Sequence, residues 1–458
     1  MAENVERRSK LRRLGSTVSD GVRTQLWPIP AIAVVLAVVL GVVLPRVDSS
    51  LRNDLPFWVA DYLFSGGAGA ARTVLDAIAS SLITVTSLTF SLTVVTLQLA
   101  SSQFSPRLLR TFSSDRTVQV TLALFLATFT YALTVERTVR TDTSSQASFV
   151  PQFSVTFAFV LTVVSVLSLV AFLAHLARQI RVETMLRDVH REASATLTRV
   201  LEPLPPALVA APEPPADALP LMVRSSGFLV RTDEAALLDA ATATGTMLLL
   251  QRHPGSSLVA GTPVGVAWRL GGGPVPEEER DELLRRVAQA LTVGYERTAA
   301  QDVGFGVKQL TDVATKALSP GINDPTTAIT AIGHASALLC ELAARDLGPR
   351  LLRDEQDRVR VAMLRPDLGA LLDLAVSQPR RYGSSDAAVA ARLFVLLREV
   401  AWVAGHHGQE CVAHQLERLR GSVAKQDLDD AERADLEERA QRVEDALGGR
   451  WTGEQDPA

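Results

Sequence analysis

The stretch SLITVTSLTFSLTVVTLQLASSQFSP, residues 81–106, contains no charged side chain, and the nearest charges are Asp76 and Arg107. About 20 predominantly apolar residues suffice for a helix to cross a bilayer, so length and lack of charge place this segment in a membrane. Its composition is unusual there, because serine and threonine occupy many positions where leucine is expected. At the helical rotation of about 100° per residue, Ser80, Thr84, Ser87, Ser91 and Gln98 fall on one stripe. Thr86, Thr89, Thr93 and Thr96 fall on nearly the opposite one, with leucines, valines and Phe90 on the flanks. Helical Ser and Thr return their hydroxyls to a carbonyl three or four residues back, which keeps their cost in lipid modest. Two opposed polar stripes suit a helix held between neighbours, one stripe packed and the other facing water or a further helix. The first stripe is the candidate pore lining.

Working outward, the span around this stretch covers 75–104, and three others read the same way at 27–44, 117–135 and 153–176. The first follows a basic arm and precedes no small-residue cleavage site, so it reads as a span rather than a cleaved signal. No Asp, Glu, Lys, Arg or His lies well inside the first three spans, and His175 sits near the end of the fourth. Carriers coupled to protons or metal ions usually need such a group within the membrane. Its absence disfavours that class and leaves a passive pore or no transport at all. The short segments on one side of the spans, including the arm and the stretch after the fourth span, hold thirteen Lys and Arg; the opposite loops hold five. The excess of basic residues marks the cytoplasmic side, so both termini are expected there.

The chain has 458 residues, 47% of them hydrophobic and 21% charged. Charges are sparse from 27 to 177 and plentiful from 178 onward, which divides the chain into a membrane part and a large polar part. A formal net charge of −4 argues against nucleic acid as a partner. Two cysteines, Cys340 and Cys411, make no disulfide framework. The expected organisation is a basic arm (1–26), a four-helix membrane domain (27–177), a helical extension (178–201) and a linker with seven prolines (202–220). A small α+β module (221–272), an α-helical domain (273–447) and a disordered tail (448–458) follow. In the extension, Ile180, Met185, Leu186, Val189 and Leu197 form an apolar seam for a partner helix or a solvated stalk.

Two segments resemble a known family. SLTFSLTVVTLQLASSQFSPRLLRTF (87–112) and GYERTAAQDVGFGVKQLTDVATKALSPGINDPTTAI (294–329) look like the bacterial predicted membrane proteins grouped as domain of unknown function 2254. The resemblance runs from about 27 to 425. It implies several membrane spans followed by a soluble domain, and it supplies no activity, cofactor or catalytic residue.

Within the polar part, SPGINDPTTAI (319–329) reads as a helix stop and restart. Ser319–Pro320 ends one helix, Gly321 turns the chain, and Asp324–Pro325 starts the next as N-cap and first residue. The functional alternative is a ligand site at Asn323 and Asp324. Lys308, Asp312 and Lys316 form an i, i+4 ladder typical of an exposed helix face. His407, Cys411 and His414 lie at spacings that share one face of a continuous helix, near Glu410, and are candidate zinc ligands. Phosphate loops, nucleophile elbows, HExxH and dinucleotide fingerprints are absent from the sequence, and no cofactor is expected. The fold class expected is a membrane α-helical protein with four transmembrane helices and a cytoplasmic α+β/α-helical domain. The expected function is an oligomeric passive channel in the cell membrane; the alternative is a non-conducting scaffold or sensor.

Overall fold

The structure, a computed structural model, describes residues 27–51, 63–103, 115–140, 149–179, 181–205, 209–271 and 273–451. The chain divides into two compact units between Arg181 and Val182.

Among the described residues the first unit holds four helices: α1 (Pro28–Leu51), α2 (Ala68–Gln103), α3 (Arg116–Glu136) and α4 (Gln152–Gln179). α3 is the central one and packs against the other three, with Phe125, Tyr131 and Val135 fully buried. Ala37 and Gly41 put a small face of α1 against it, where a Cβ on Gly41 would lie 2.7 Å from Thr134 Cβ. Small residues at i, i+4 permit such close backbone approach.

Hydrogen bonds fix the helix directions. Near the C-terminal end of α1, the Asp48 carboxylate accepts from the Ser154 N–H (3.0 Å) and hydroxyl (3.2 Å) at the start of α4. Arg72, in the first turns of α2, donates to the Val139 carbonyl just beyond α3 (2.9 Å). These bonds gather the end of α1, the start of α2, the end of α3 and the start of α4, so successive helices alternate in direction. At the other end, Asp115 caps α3 by accepting from Thr117 N–H (2.8 Å) and meets His175 Nε2 at 2.6 Å.

The second unit begins with α5 (Val182–Val200), whose Met185, Leu186, Val189 and Leu197 are buried. The strands β1 (Leu219–Met222) and β2 (Gly227–Thr232), helix α6 (Glu234–Ala243), and strands β3 (Thr246–Leu250), β4 (Ser257–Leu258) and β5 (Pro263–Arg269) follow. Next come α7 (Glu277–Ala290), β6 (Leu291–Gly294), α8 (Phe305–Ala317) and α9 (Pro325–Ala343). A hairpin of β7 (Arg350–Arg353) and β8 (Val359–Met363) precedes α10 (Leu368–Gly383), α11 (Ala387–Ala404), α12 (Gln409–Val423) and α13 (Asp430–Leu447).

The larger sheet has the order β1-β5-β3-β8-β7 and the smaller β4-β2-β6. β3 is buried along its whole length, as suits a central strand covered on both faces. It pairs antiparallel with β5 and parallel with β8, in the register Leu248↔Val361 and Leu250↔Met363. α8, α9 and α11 form the helical core, and α5 lies against α8 and α9.

Several expectations are corrected here. Residues 273–447 are not helical throughout, because β6, β7 and β8 interrupt them and join the sheets of the preceding module. The apolar seam of α5 serves neither a partner helix nor a solvated stalk: it is buried against α8 and α9, while Ile180 lies outside the described residues. The Pro-rich segment does not separate compact units. Leu204 N–H bonds the Ala344 carbonyl (3.1 Å), Pro203 bridges to Arg345, and β1 supplies a sheet edge. The tail reading fails at its start, since the Trp451 ring takes the Arg398 guanidinium at 3.9 Å and meets Trp402 at 5.4 Å; 452–458 lie outside the described residues. Among the described residues five helices are long and apolar enough to cross a membrane, α1 to α4 and α9.

Candidate functional site

α2 separates its two hydroxyl rows physically. Thr86, Thr89, Thr93 and Thr96 are buried, on the side of the helix that packs on its neighbours. Thr86, Thr93 and Thr96 return their hydroxyls to the Leu82, Thr89 and Leu92 carbonyls at 2.6–2.8 Å. Ser80, Thr84, Ser87, Ser91 and Gln98 are all exposed on the chain's surface. Ser80 bonds the Asp76 carbonyl (2.8 Å) and Thr84 the Ser80 carbonyl (2.9 Å). The side chains of Ser87, Ser91 and Gln98 make no hydrogen bond within the described residues.

The two candidates in the second unit come out differently. Asp324 is the N-cap of α9: its carboxylate accepts from the Thr327 N–H (3.0 Å) and hydroxyl (2.6 Å). These bonds hold its carboxyl below the usual range. Asn323 is exposed and takes the left-handed φ of +51° that turns the chain into the cap. Both residues thus have structural tasks in the turn.

The structure does not bring the zinc candidates together. Among the described residues no three of His, Cys, Asp and Glu are grouped to hold a metal ion. The spacing of His407, Cys411 and His414 assumed a continuous helix, but α11 ends at Gly405 with φ +53° and residues 405–408 form a 3-10 turn. His407 and His414 are exposed, while the half-buried Cys411 thiol donates to the Gly408 carbonyl (3.3 Å). Burial pushes that thiol's pKa up. The Lys308–Asp312 pair of the ladder forms as an ion pair, with both side chains half-buried rather than fully exposed.

A cavity of about 770 Å³ lies within the second unit, lined among others by Arg199, Arg231, Arg252, His253, Arg350 and Arg365. Its walls come from the end of α5, the end of β2, the start of α6, the chain leaving β3, the loop before α8, the start of β7 and the chain leaving β8. Glu202 and Glu234 also line it, and both meet Arg350, at 2.7 and 3.5 Å. The Arg365 guanidinium is held by the backbone carbonyls of Asp346 (3.1 Å) and Val200 (3.2 Å). Arg199 donates to the Ala300 carbonyl (2.9 Å). None of Arg199, Arg231, Arg252 and Arg365 forms an ion pair among the described residues. Burial and the charge of Arg350 pull the Arg365 guanidinium below its ordinary pKa.

Sequence reasoning missed this cavity because its arginines come from five distant segments with no common spacing. The available signal was an arginine just after each of two apolar strands, in TMLLLQR and VRVAMLR.

A family profile described as predicted membrane protein (DUF2254) matches residues 23–399. An uncharacterized protein of Mycobacterium tuberculosis strain H37Rv is 35% identical over 390 residues, 84% of this chain and 73% of the relative. An uncharacterized protein of Mycobacterium bovis matches with the same identity and coverage. No solved structure matches.

Proposed function

The chain belongs to the DUF2254 family of predicted membrane proteins, and from that premise we propose that it forms a homo-oligomeric passive pore in the cell membrane, with the exposed stripe of α2 turned toward a shared water-filled axis. In this reading α1 to α4 cross the bilayer, both termini are cytoplasmic, and α9 is an interior helix of a cytoplasmic domain. The observation that carries it is the asymmetry of α2. Its threonine row is used up in packing within the chain, whereas Ser87, Ser91 and Gln98 stand exposed with no partner among the described residues. A polar group left unbonded in hydrocarbon costs several kcal/mol, so a lipid-facing surface is the worst place for the Gln98 amide. Water at an axis between subunits satisfies it, and so does the helix of a second copy.

The second reading, a non-conducting scaffold or sensor, is supported by the cavity of the second unit, which offers a place for a small ligand. Ion flux into liposomes separates the two. Purified protein is compared with a Ser87→Leu/Ser91→Leu variant, with oligomer size followed by light scattering. Flux in the parent that falls about tenfold or more in the variant, a change of at least 1.4 kcal/mol in the barrier, with the oligomer unchanged, supports the pore. An assembled parent that passes no ion across several salts and pH values sinks it and leaves the scaffold or sensor.

A further inference from the structure

We propose that the arginine-lined cavity of the second unit binds a phosphate-bearing organic anion of about nucleotide size. The inference stands whether or not α2 conducts.

Charge comes first. Five arginines and His253 face two carboxylates across the cavity, and Arg350 already engages both of those carboxylates. Arg199, Arg231, Arg252 and Arg365 remain without an ion pair among the described residues. Arg231 and Arg252 also make no side-chain hydrogen bond there and are exposed at the cavity. Like charges held together at a partly buried site disfavour the empty protein, and an anion in the cavity relieves that repulsion. The guanidinium is a planar fork of donors that matches phosphate oxygens two at a time. Arg365 is preorganised for this, because the Asp346 and Val200 carbonyls fix its position.

Topology gives an independent reason. β3 and β8 are parallel neighbours, and their chains leave the sheet through Arg252–Pro254 and Leu364–Pro366, both of which line the cavity. Ligands of open sheets with parallel strands sit in the crevice outside the carboxyl ends of those strands. The cavity is also not purely polar. Leu250, Val303, Met363 and Leu364 supply apolar wall, a lining suited to the organic body of a ligand rather than to a bare inorganic ion. A volume of about 770 Å³ accommodates such a molecule.

Phosphate attached to an organic body occurs in soluble nucleotides and in lipid headgroups. Calorimetric titration of the full chain in nanodiscs distinguishes them, with ATP, adenosine and dihexanoyl phosphatidic acid as probes. The variants are Arg231→Ser/Arg252→Ser and, separately, Arg365→Gln. The double variant removes exposed side chains that have no partner among the described residues, so its fold is retained, and circular dichroism verifies this. The expected result is saturable ATP binding, absent for adenosine and weakened about tenfold or more in the double variant, as loss of charge-assisted hydrogen bonds predicts. Binding of dihexanoyl phosphatidic acid in place of ATP, with the same dependence on these arginines, assigns the site to a lipid headgroup and supports the proposal. Absence of saturable binding by ATP and by phosphatidic acid, or binding that the folded double variant fully retains, overturns it.

Discussion

Gly255 has φ +94°, and a Cβ built on it would run into the Asp302 carboxylate. Two constraints of different origin therefore meet at one residue. The backbone angle alone disfavours any L side chain, and the close neighbour is itself tightly placed. Asp302 is 4% exposed, pairs with Arg297 at 2.8 Å and accepts from the Gly304 N–H at the start of α8. Burial is the largest influence on its carboxyl and raises its pKa, which the Arg297 charge only partly offsets. Gly255→Ala strains the turn and displaces the carboxylate from the Arg297 guanidinium that pairs with it. A sparsely populated backbone angle costs about 1–3 kcal/mol, before any loss of the ion pair. Calorimetric unfolding of the purified protein is expected to show the second unit's transition lowered by several degrees. A transition at the parent's temperature would mean that the Asp302 loop yields without cost.

At the scale of elements, the crossing of α1 on α3 depends on Gly41. Its missing side chain lets the helices approach until a Cβ would sit 2.7 Å from Thr134 Cβ and 2.8 Å from its Cγ2. The obstructing atoms belong to a β-branched residue, stiff at its first torsion, so they cannot swing aside. Gly41→Leu is expected to separate α1 from α3 and lower the detergent concentration at which the first unit unfolds. Gly69→Leu, at an exposed position with nothing within 4 Å, is expected to leave that midpoint unchanged. Equal midpoints for the two variants would remove the crossing as a determinant of packing.

What the sequence revealed about elements follows from period and length. The four long apolar helices and the two hydroxyl rows of α2 were legible because a helical repeat over 20 or more residues leaves little choice. The α+β character of 221–272 was legible, and β2, α6 and β3 fall within it. β6 was not, because Leu291 continues α7 without a glycine or proline and its spacing still fits a helix. β8 was hidden for a related reason: Val359, Val361 and Met363 alternate for only five residues, and their burial is decided by pairing with distant β3. The zinc spacing assumed one α-helical face, but His407 lies in the 3-10 turn of 405–408 and only Cys411 and His414 lie in α12. The arginine cavity is a tertiary feature, since Arg199, Arg231, Arg252, Arg350 and Arg365 come from separate elements with no common spacing.

For the whole molecule, the parity of membrane crossings is the property that ties these scales together. The hydrogen bonds of Asp48 and Arg72 make α1 to α4 alternate in direction, and in the proposed topology four crossings would return the chain to the side where it started. The basic residues agree, with Arg116 and Arg178 at the end of the first unit marked by Asp115 and His175. α9 has the length and apolarity for a fifth crossing, but its surroundings are those of an interior helix. It carries His334 and Glu341, packs on α5, α8 and α11, and donates the Ser336 hydroxyl to Glu399 of α11. Removing it into lipid would strand Glu399, which also meets Arg392 at 3.0 Å, without one of its two partners. Fusions at both termini test parity and orientation together. Green fluorescent protein is expected to fluoresce at either terminus, and alkaline phosphatase to remain inactive at both, because it needs an oxidising compartment. Phosphatase activity at the C-terminus alone would mean an odd number of crossings and would put α9 in the bilayer. Activity at both termini would keep four crossings and reverse the orientation, against the thirteen-to-five distribution of basic residues.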